Sequence, residues 1–169
     1  MFHHNSGAKI NGQVANTVFQ VTSEPPTVAV ALNKENLTHK FVAESRAITL
    51  SILGQDAPLS LIGNFGFKSG RDVDKFAKVK YRIGSNGAPI VLEHTIGYLE
   101  ARVLQQLDVG SHTIFVGELE EADIIEEGEP MTYAYYHQVK RGTTPRTAPT
   151  FFKEEKKRGG PSKYTCTVF

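Results

Sequence analysis

Two groups of polar and basic side chains are placed so that they can hold an anion. The first follows an apolar run and precedes an expected helix; its members are Asn33, Lys34, Asn36 and Thr38. The first N–H groups of a helix have no partner inside the helix, and the helix dipole favours negative charge at that end. The start of this helix is therefore suited to binding a phosphate group.

A second group of the same kind precedes another expected short helix; its members are Ser69, Arg71 and Lys75. The guanidinium of an arginine can bind a phosphate through two parallel hydrogen bonds. The residues alone leave a plainer alternative open. Thr38 can be a helix cap and nothing more, and Arg71 can simply form a surface pair with Asp72.

Motifs for other nucleotide and metal sites do not occur in the sequence. It lacks G-x-G-x-x-G, G-x-x-x-x-G-K-[ST], G-x-S-x-G and H-E-x-x-H. Its six histidines form no i, i+4 pair on an expected helix, so no metal is expected. The one cysteine, Cys166, cannot form an internal disulfide or a cluster held by several thiolates. A reducing compartment, the cytoplasm, is therefore expected.

Composition is typical of a soluble globular protein with one domain. The chain has 169 residues, of which 40% are hydrophobic and 22% charged. Its 19 Lys and Arg against 18 Asp and Glu leave a formal charge of +1. This balance argues against a nucleic-acid or anionic-membrane partner, because proteins that bind such partners usually carry an excess of Lys and Arg over Asp and Glu. No apolar run approaches the roughly 20 residues of a membrane helix, and the first residues are unlike a secretory signal.

The elements that must position these side chains are mostly strands. Short alternating or valine-rich runs predict strands at residues 27–32, 48–53, 96–109 and 113–119, and an aromatic run predicts a last strand at 132–139. In the third strand, Glu100 and Arg102 are expected to share the face opposite Leu99, Ala101 and Val103.

Helices are predicted to be few and short. The first starts at Asn36 or Thr38 and runs through Ser45, because either side chain can accept a free backbone N–H. The second starts at Asp56 and Pro58 and ends near Gly63 or Gly66. A third is predicted at residues 72–77. Closely spaced strands with brief helices between them favour an antiparallel barrel over a parallel sheet.

Several segments, in this order along the chain, resemble one family. They are N-G-Q-V-A-N-T-V-F-Q-V-T-S-E-P-P (11–26), T-V-A-V-A-L-N-K-E-N-L-T (27–38), F-G-F-K-S-G-R-D (65–72), G-S-H-T-I-F-V-G-E (110–118), T-Y-A-Y-Y-H (132–137) and A-P-T (148–150). Together they are similar to the flavin reductase-like family with the FMN-binding split-barrel fold. The similarity is greatest to its flavoredoxin branch and to the flavin domain of high-molecular-weight rubredoxins, and it covers about residues 10–152.

The resemblance implies a mainly β protein, an antiparallel Greek-key split barrel with a few short helices. It implies a homodimer with FMN near the subunit interface. It also implies an NAD(P)H:flavin oxidoreductase, in which NADH or NADPH supplies a hydride to FMN. Electrons then pass to an acceptor such as rubredoxin, a flavodiiron protein or a small molecule.

The same resemblance assigns roles to particular residues. Ala15, Asn16 and Thr17 are expected at the pyrimidine edge and ribityl chain of FMN, and Gln20, Val21 and Ser23 lie on the same flavin-contacting segment. The two anion-binding groups become phosphate contacts, and Phe65 covers the flavin or belongs to the core. His112 corresponds to the family histidine near the nicotinamide path. Without the resemblance, each assignment has an alternative. Residues 14–23 can form a polar edge strand that contacts no flavin, and His112 can be a strand histidine that only bonds to the backbone.

The chain departs from the family pattern at both ends and at one internal position. Only about ten residues precede the N-G-Q segment, and Ser111 stands where relatives often have Asp. The ending K-Y-T-C-T-V-F (163–169) resembles the start of a rubredoxin, with Cys166 at the first iron ligand and Phe169 in place of the second; a chance match is the alternative. We expect residues 1–158 to form the FMN-binding domain, and residues 159–169 a linker with a truncated rubredoxin-like tail.

Two other classes of function compete with a reductase. One is an FMN-binding electron carrier, flavoredoxin-like, that does not use NAD(P)H efficiently. The other is a ligand-binding barrel that has lost FMN. The presence of bound flavin, and its rate of reduction by NADH and NADPH, separate the three.

Overall fold

The computed structural model describes residues 9–151 of the chain. The elements, in chain order, are β1 (Val18–Ser23), β2 (Pro26–Asn33), α1 (Leu37–Ser45), β3 (Ala47–Leu53), α2 (Leu59–Phe67), β4 (Tyr81–Ile83), β5 (Pro89–Val91), β6 (Thr95–Asp108), β7 (His112–Ile124) and α3 (Tyr133–Gln138). The predicted tail and linker lie outside the described residues. Within residues 9–151, no helix combines the length and the apolar composition needed to cross a membrane.

Five strands form one antiparallel sheet in the order β1-β2-β7-β6-β3, and β4 pairs with β5 in a separate hairpin. The centre of the sheet is the long β6–β7 hairpin, which turns tightly at Gly110, where φ is +87°. Asp108 pairs with Thr113 across that turn. The strands predicted at 27–32, 48–53, 96–109 and 113–119 are confirmed, and so is the mainly β, antiparallel architecture.

Two apolar clusters hold the helices against this framework. In the first cluster, Val42 of α1 packs with strand residues; its members are Val30, Leu32, Val42, Ile48, Val103 and Phe115. In the second, Leu61 and Phe65 of α2 pack with Ala57 and Phe76, and the rings of Phe65 and Phe76 meet edge to face. Burying these side chains supplies the main free energy of folding. The strand ends and loops left uncovered by the clusters are free to carry polar groups.

Residues 132–139, predicted as the last strand, instead form the helix α3. The Thr132 hydroxyl accepts a hydrogen bond from the Tyr135 N–H at 3.1 Å, which caps the helix. The rings of Tyr133 and His137, one helical turn apart, pack with centroids separated by 4.3 Å. The prediction was wrong because aromatic enrichment suggested a strand, while a capping threonine and an i, i+4 ring pair favour a helix.

Residues 72–77, predicted as a third helix, form successive turns. The Asp74 carboxylate accepts a hydrogen bond from the Phe76 N–H at 2.9 Å. The Asp72 N–H donates to the Ser69 carbonyl oxygen. An aspartate that bonds the backbone two residues ahead offers an alternative to helical hydrogen bonding.

Glu100 was expected to face away from the core, beside Arg102, and it is instead fully buried. The pairing of β6 with β7 shifts between Glu100 and Ala101, which breaks the strict alternation of faces. The carboxylate Oε2 accepts hydrogen bonds from the Ser85 hydroxyl and the Asn86 N–H, both at 3.0 Å. The turn after β4 is thereby tied to the large sheet.

Candidate functional site

The structure brings the two predicted anion-binding groups together. The loop after β2 and the loop after α2 meet where Arg71 Nη1 donates to the Glu35 carbonyl oxygen at 3.0 Å. Gly70 lies in the same contact, because a Cβ built on it would be 3.2 Å from Leu37 Cδ2. The contact joins the start of α1 to the Ser69–Arg71 loop, although 36 residues separate Glu35 from Arg71 in sequence.

The start of α1 is not capped by a side chain. Asn36 is the N-cap residue and forms no side-chain capping bond, and Asn33 Oδ1 accepts from the Glu35 N–H at 2.9 Å. Thr38 is the second residue of the helix, and its hydroxyl accepts from Asn11 Nδ2 at 2.9 Å. The alternative in which Thr38 acts only as a helix cap is therefore wrong. Among the described residues, Arg71 and Asp72 do not form the surface ion pair that was the other alternative.

Lys75 was predicted as a phosphate contact, and its position does not fit that role. The residue is 5% exposed, and its Nζ donates to the carbonyl oxygens of Gly12 at 2.9 Å and Phe65 at 3.2 Å. Burial lowers the pKa of Lys75 to about 8. Its ammonium group joins the segment before β1 to the last turn of α2.

Lys34 is engaged on another side of the α1 start. Its Nζ pairs with the Asp108 carboxylate at the β6–β7 turn. The pair borders a cleft of about 280 Å³ that also contains His39, whose Nε2 lies 2.8 Å from the Thr113 hydroxyl. Burial, and secondly the charge of Lys34, lower the pKa of His39. Its imidazole is therefore neutral near pH 7.

The predicted flavin-contacting segment enters the sheet as an exposed edge strand. The Val14 N–H donates to the Phe65 carbonyl oxygen at 3.3 Å, and the Ala31 N–H donates to the Thr17 carbonyl oxygen at 3.2 Å. All six residues of β1 are exposed, including Gln20, Val21 and Ser23. Ala15 is exposed as well. The polar edge strand anticipated as an alternative is therefore present, and its outer edge is open in the single chain.

Asn16 and Thr17 are held by a segment from the other end of the chain. Asn16 Nδ2 donates to the Thr150 hydroxyl at 2.7 Å, and the Thr17 hydroxyl donates to Asn16 Oδ1 at 3.1 Å. The Tyr133 hydroxyl lies 3.0 Å from that of Thr150. Hydrogen bonds to Thr144 and Thr150 lower the pKa of Tyr133. Sequence reasoning missed Tyr133 and Thr150, although both lie in motifs of the resemblance.

His112 opens β7 directly opposite Asn33 on β2. Its Nε2 lies 3.2 Å from the Thr147 carbonyl oxygen, and its Nδ1 lies 2.9 Å from the Ser111 hydroxyl. A carbonyl oxygen can only accept, so Nε2 carries the hydrogen and Nδ1 accepts from Ser111. The anticipated backbone bond is present, and Ser111 occupies a neutral, ring-orienting position where relatives often carry a charge.

Phe65 lies in the core. It is 7% exposed and packs against Phe76, which agrees with the core alternative, while Phe67 is 49% exposed.

The polar side chains that the structure brings together form a band. It runs from Asn16 and His112, past Asn33, to Thr38 and Arg71. One end carries helix N–H groups and a guanidinium, which suits a phosphate, and the other end carries amide and hydroxyl groups.

Comparison with known proteins identifies a family and several relatives that the chain resembles. The flavin reductase like domain family matches residues 5–144. A high molecular weight rubredoxin from Moorella thermoacetica is 54% identical over 165 residues, covering 96% of this chain and 72% of that protein. A ferric-chelate reductase (NAD(P)H) from Archaeoglobus fulgidus is 47% identical over 144 residues, covering 85% of each chain. The Streptomyces globisporus NADH:FAD oxidoreductase SgcE6, solved with NAD and FAD fragments, superposes with a TM-score of 0.64 at 26% identity, covering 72% of this chain and 74% of that one. The split-barrel fold expected from the sequence is thereby confirmed.

Proposed function

The chain belongs to the flavin reductase like domain family, and on that premise we propose that it binds FMN along the band described above and reduces it with NADH or NADPH. The observation that carries the proposal is the meeting of the two anion-binding groups at the Arg71–Glu35 contact. Neither group alone distinguishes a phosphate site from an ordinary helix start. Their convergence at one end of a polar band supplies the anion-binding end that FMN requires.

The residues at that end fit a phosphate group. The first N–H groups of α1 are not capped by a side chain. Within residues 9–151, the Arg71 side chain uses one of its five N–H donors, in the bond to Glu35. We assign phosphate binding to the α1 N–H groups, the Thr38 hydroxyl and Arg71, with Asn33, Asn36 and Ser69 shaping the two loops. Lys75 and Lys34 are not included, because their ammonium groups are engaged elsewhere.

The opposite end fits the flavin ring. We propose that Ala15, Asn16 and Thr17 meet the pyrimidine edge and the ribityl hydroxyls, and that Gln20, Val21 and Ser23 border the ring along β1. The isoalloxazine of bound FMN supplies the redox chemistry, taking a hydride from the nicotinamide. Hydrogen-bond donors held in place at the pyrimidine edge stabilise the negative charge that reduction brings.

His112 is assigned to the path of the nicotinamide. Its ring orientation is fixed on both sides, by Ser111 and by the Thr147 carbonyl oxygen. A ring held in one orientation can position an incoming nucleotide without itself exchanging a proton. The role proposed for His112 is therefore positioning of the hydride donor.

One observation favours a second candidate, an FMN-binding electron carrier. The bond from His112 to Thr147, together with the bond from Asn16 to Thr150, lays residues 147–150 beside the side chain that would meet the nicotinamide. If that segment does not move, the donor has little access, and electrons would come from a protein instead. The relative named as a high molecular weight rubredoxin supports a redox-protein partner, such as rubredoxin or a flavodiiron protein.

A homodimer completes the proposal. β1 lies at the edge of the sheet and exposes Val18, Phe19 and Val21, with Phe19 53% exposed. An exposed apolar edge next to a binding site favours association with another chain. We propose that a second copy covers this edge and forms the outer wall of the flavin site.

Flavin content and reduction kinetics test these proposals. The purified protein, or the protein after titration with FMN, is expected to be yellow and to release FMN on denaturation. Stopped-flow mixing of the FMN-loaded protein with NADH, and separately with NADPH, is expected to bleach the oxidised flavin band rapidly. Tight FMN binding with slow bleaching by both nucleotides would favour the electron carrier. Failure to bind FMN would refute both.

A further inference from the structure

We propose that Asn11 is a positioning residue for the phosphate of FMN and that it acts through the hydroxyl of Thr38. This inference rests on the function proposed above, because it concerns the same phosphate end of the site. Asn11 itself is not expected to touch the flavin. It is expected to determine which way the Thr38 hydroxyl donates its hydrogen.

The argument begins with the hydrogen bond between the two side chains. Asn11 Nδ2 donates to Thr38 Oγ1 at 2.9 Å. A hydroxyl has one hydrogen and can accept as well as donate, so this bond uses Thr38 as an acceptor and leaves its O–H to donate elsewhere. Among residues 9–151, the only side-chain hydrogen bond of Thr38 is the one from Asn11. The free O–H lies in the first turn of α1, where an anion is favoured.

The other side of the Asn11 amide is fixed by Gly70. A Cβ built on Gly70 would lie 2.1 Å from Asn11 Oδ1, a separation that no side chain can adopt without displacing the amide. The amide therefore fits between the loop that carries Arg71 and the helix that carries Thr38. This placement links the two halves of the proposed phosphate site through one side chain.

The backbone of this segment is held independently of the Asn11 side chain. Lys75 Nζ binds the Gly12 carbonyl oxygen, and the Val14 N–H donates to the Phe65 carbonyl oxygen. Gly12 also packs closely between two rings, since a Cβ built on it would lie 3.3 Å from atoms of both Phe65 and Phe76. Truncating Asn11 is therefore a local change, and the path of the chain toward Asn16 is retained.

The test compares FMN with riboflavin, which has the same ring and ribityl chain without the phosphate. Dissociation constants of both are measured by fluorescence titration for the wild type and for N11A, T38V and N11A/T38V. We expect N11A to weaken FMN about fivefold to tenfold, the effect of one lost hydrogen bond. Riboflavin affinity is expected to stay the same. N11A is expected to add nothing further in the T38V background, because the two residues act as a unit.

Two other variants keep the test decisive. In G70A, the new methyl group displaces the Asn11 amide, so we expect the same selective loss of FMN. In the N11A background, which already lacks that amide, we expect G70A to add no further loss. N64A is the control: Asn64 Nδ2 donates to the Lys75 carbonyl oxygen in the same region, away from Thr38. It is expected to lower the melting temperature without changing the ratio of FMN to riboflavin affinity. If N11A fails to fold, G70A and T38V carry the comparison.

Three outcomes would overturn the inference. Equal weakening of FMN and riboflavin by N11A would make Asn11 a scaffold residue. Full additivity of N11A and T38V would show that they act separately. A wild type that binds riboflavin as tightly as FMN would have no phosphate site, and the proposed function would fail with the inference. In the first two cases the proposed function stands.

Discussion

His112 Nε2 and the Thr147 carbonyl oxygen lie 3.2 Å apart, so the first residue of β7 holds a segment near the end of the described chain against the candidate site. The bond fixes the imidazole as the tautomer that carries its hydrogen on Nε2. The role proposed for the ring toward the nucleotide therefore has to be separated from its contact with residues 147–150.

The first prediction separates those roles. H112A is expected to slow reduction by NADH or NADPH by about one to two orders of magnitude, because the donor loses a group that orients it. FMN affinity and reduction by dithionite, which needs no nicotinamide pocket, are expected to change little. Paired stopped-flow measurements on the same FMN-loaded sample provide the check. S111A, which removes only the partner of Nδ1, should give a smaller effect in the same direction. If dithionite and nucleotide rates fall together, or if FMN dissociates, His112 does not position the donor.

The second prediction concerns pH and Lys75. Its pKa is about 8 in the folded protein, lowered from 10.5 by burial. Between pH 8 and pH 10.5, Lys75 is protonated in the unfolded chain and deprotonated in the folded chain. Its contribution to the free energy of unfolding therefore rises with pH and is lowest below pH 8. Urea unfolding of wild type and K75M from pH 7 to pH 11 measures the difference in the free energy of unfolding. We expect that difference to shift in favour of the wild type by about 3 kcal/mol as the pH increases. A flat difference would mean that the Lys75 ammonium keeps its ordinary pKa.

The third prediction concerns the buried carboxylate of Glu100. Within the described residues, its Oε1 has no hydrogen-bond partner, while Oε2 has two. E100Q removes the buried charge and keeps an oxygen for Ser85 and Asn86, so stability is expected to be unchanged or higher. E100A leaves the Asn86 N–H without its acceptor and opens a cavity, which should cost about 2–4 kcal/mol. Thermal and urea unfolding of both variants test this, and a destabilised E100Q would show that the charge itself is required.

The fourth prediction concerns the edge strand. F19K is expected to convert a homodimer into a monomer of about 19 kDa, because a buried lysine at an apolar interface is costly. I124K is the matched control, since Ile124 is 77% exposed at the far end of β7. Sedimentation equilibrium at several concentrations distinguishes the two masses. A wild type that is already monomeric with FMN bound would refute the dimer.

The sequence predicted four strands of the large sheet because apolar residues alternate or cluster along them and turns bound them. Residues 48–53 and 96–109 could be placed from period-two patterning. The burial of Glu100 could not be predicted from the sequence. A bulge changes the face on which a residue lies, and the alternation of apolar and polar residues does not reveal where the bulge occurs. The helix at Tyr133–Gln138 was missed because its aromatic residues suit either structure, and contacts between their rings decide the outcome.

The candidate site was predicted in part. The residue types in the two anion-binding groups were informative, because helix starts and arginine bind phosphate for general reasons. Two features of the site depend on how α1, α2 and the segment before β1 pack together. These features are the inward orientation of Lys75 and the contact of Asn11 with Thr38. Local sequence does not encode such long-range contacts, which here join residues 27 and 63 positions apart.

The bond between Asn16 and Thr150 joins residues 134 positions apart in sequence. During synthesis on a ribosome, the residues around Asn16 emerge early but cannot form this bond until Thr150 has left the exit tunnel. The sheet can form before that moment, because β7 ends at Ile124. Formation of the Asn16–Thr150 contact is therefore a late event that follows the sheet in each new chain. A nascent chain stalled before residue 150 would have its sheet without this contact.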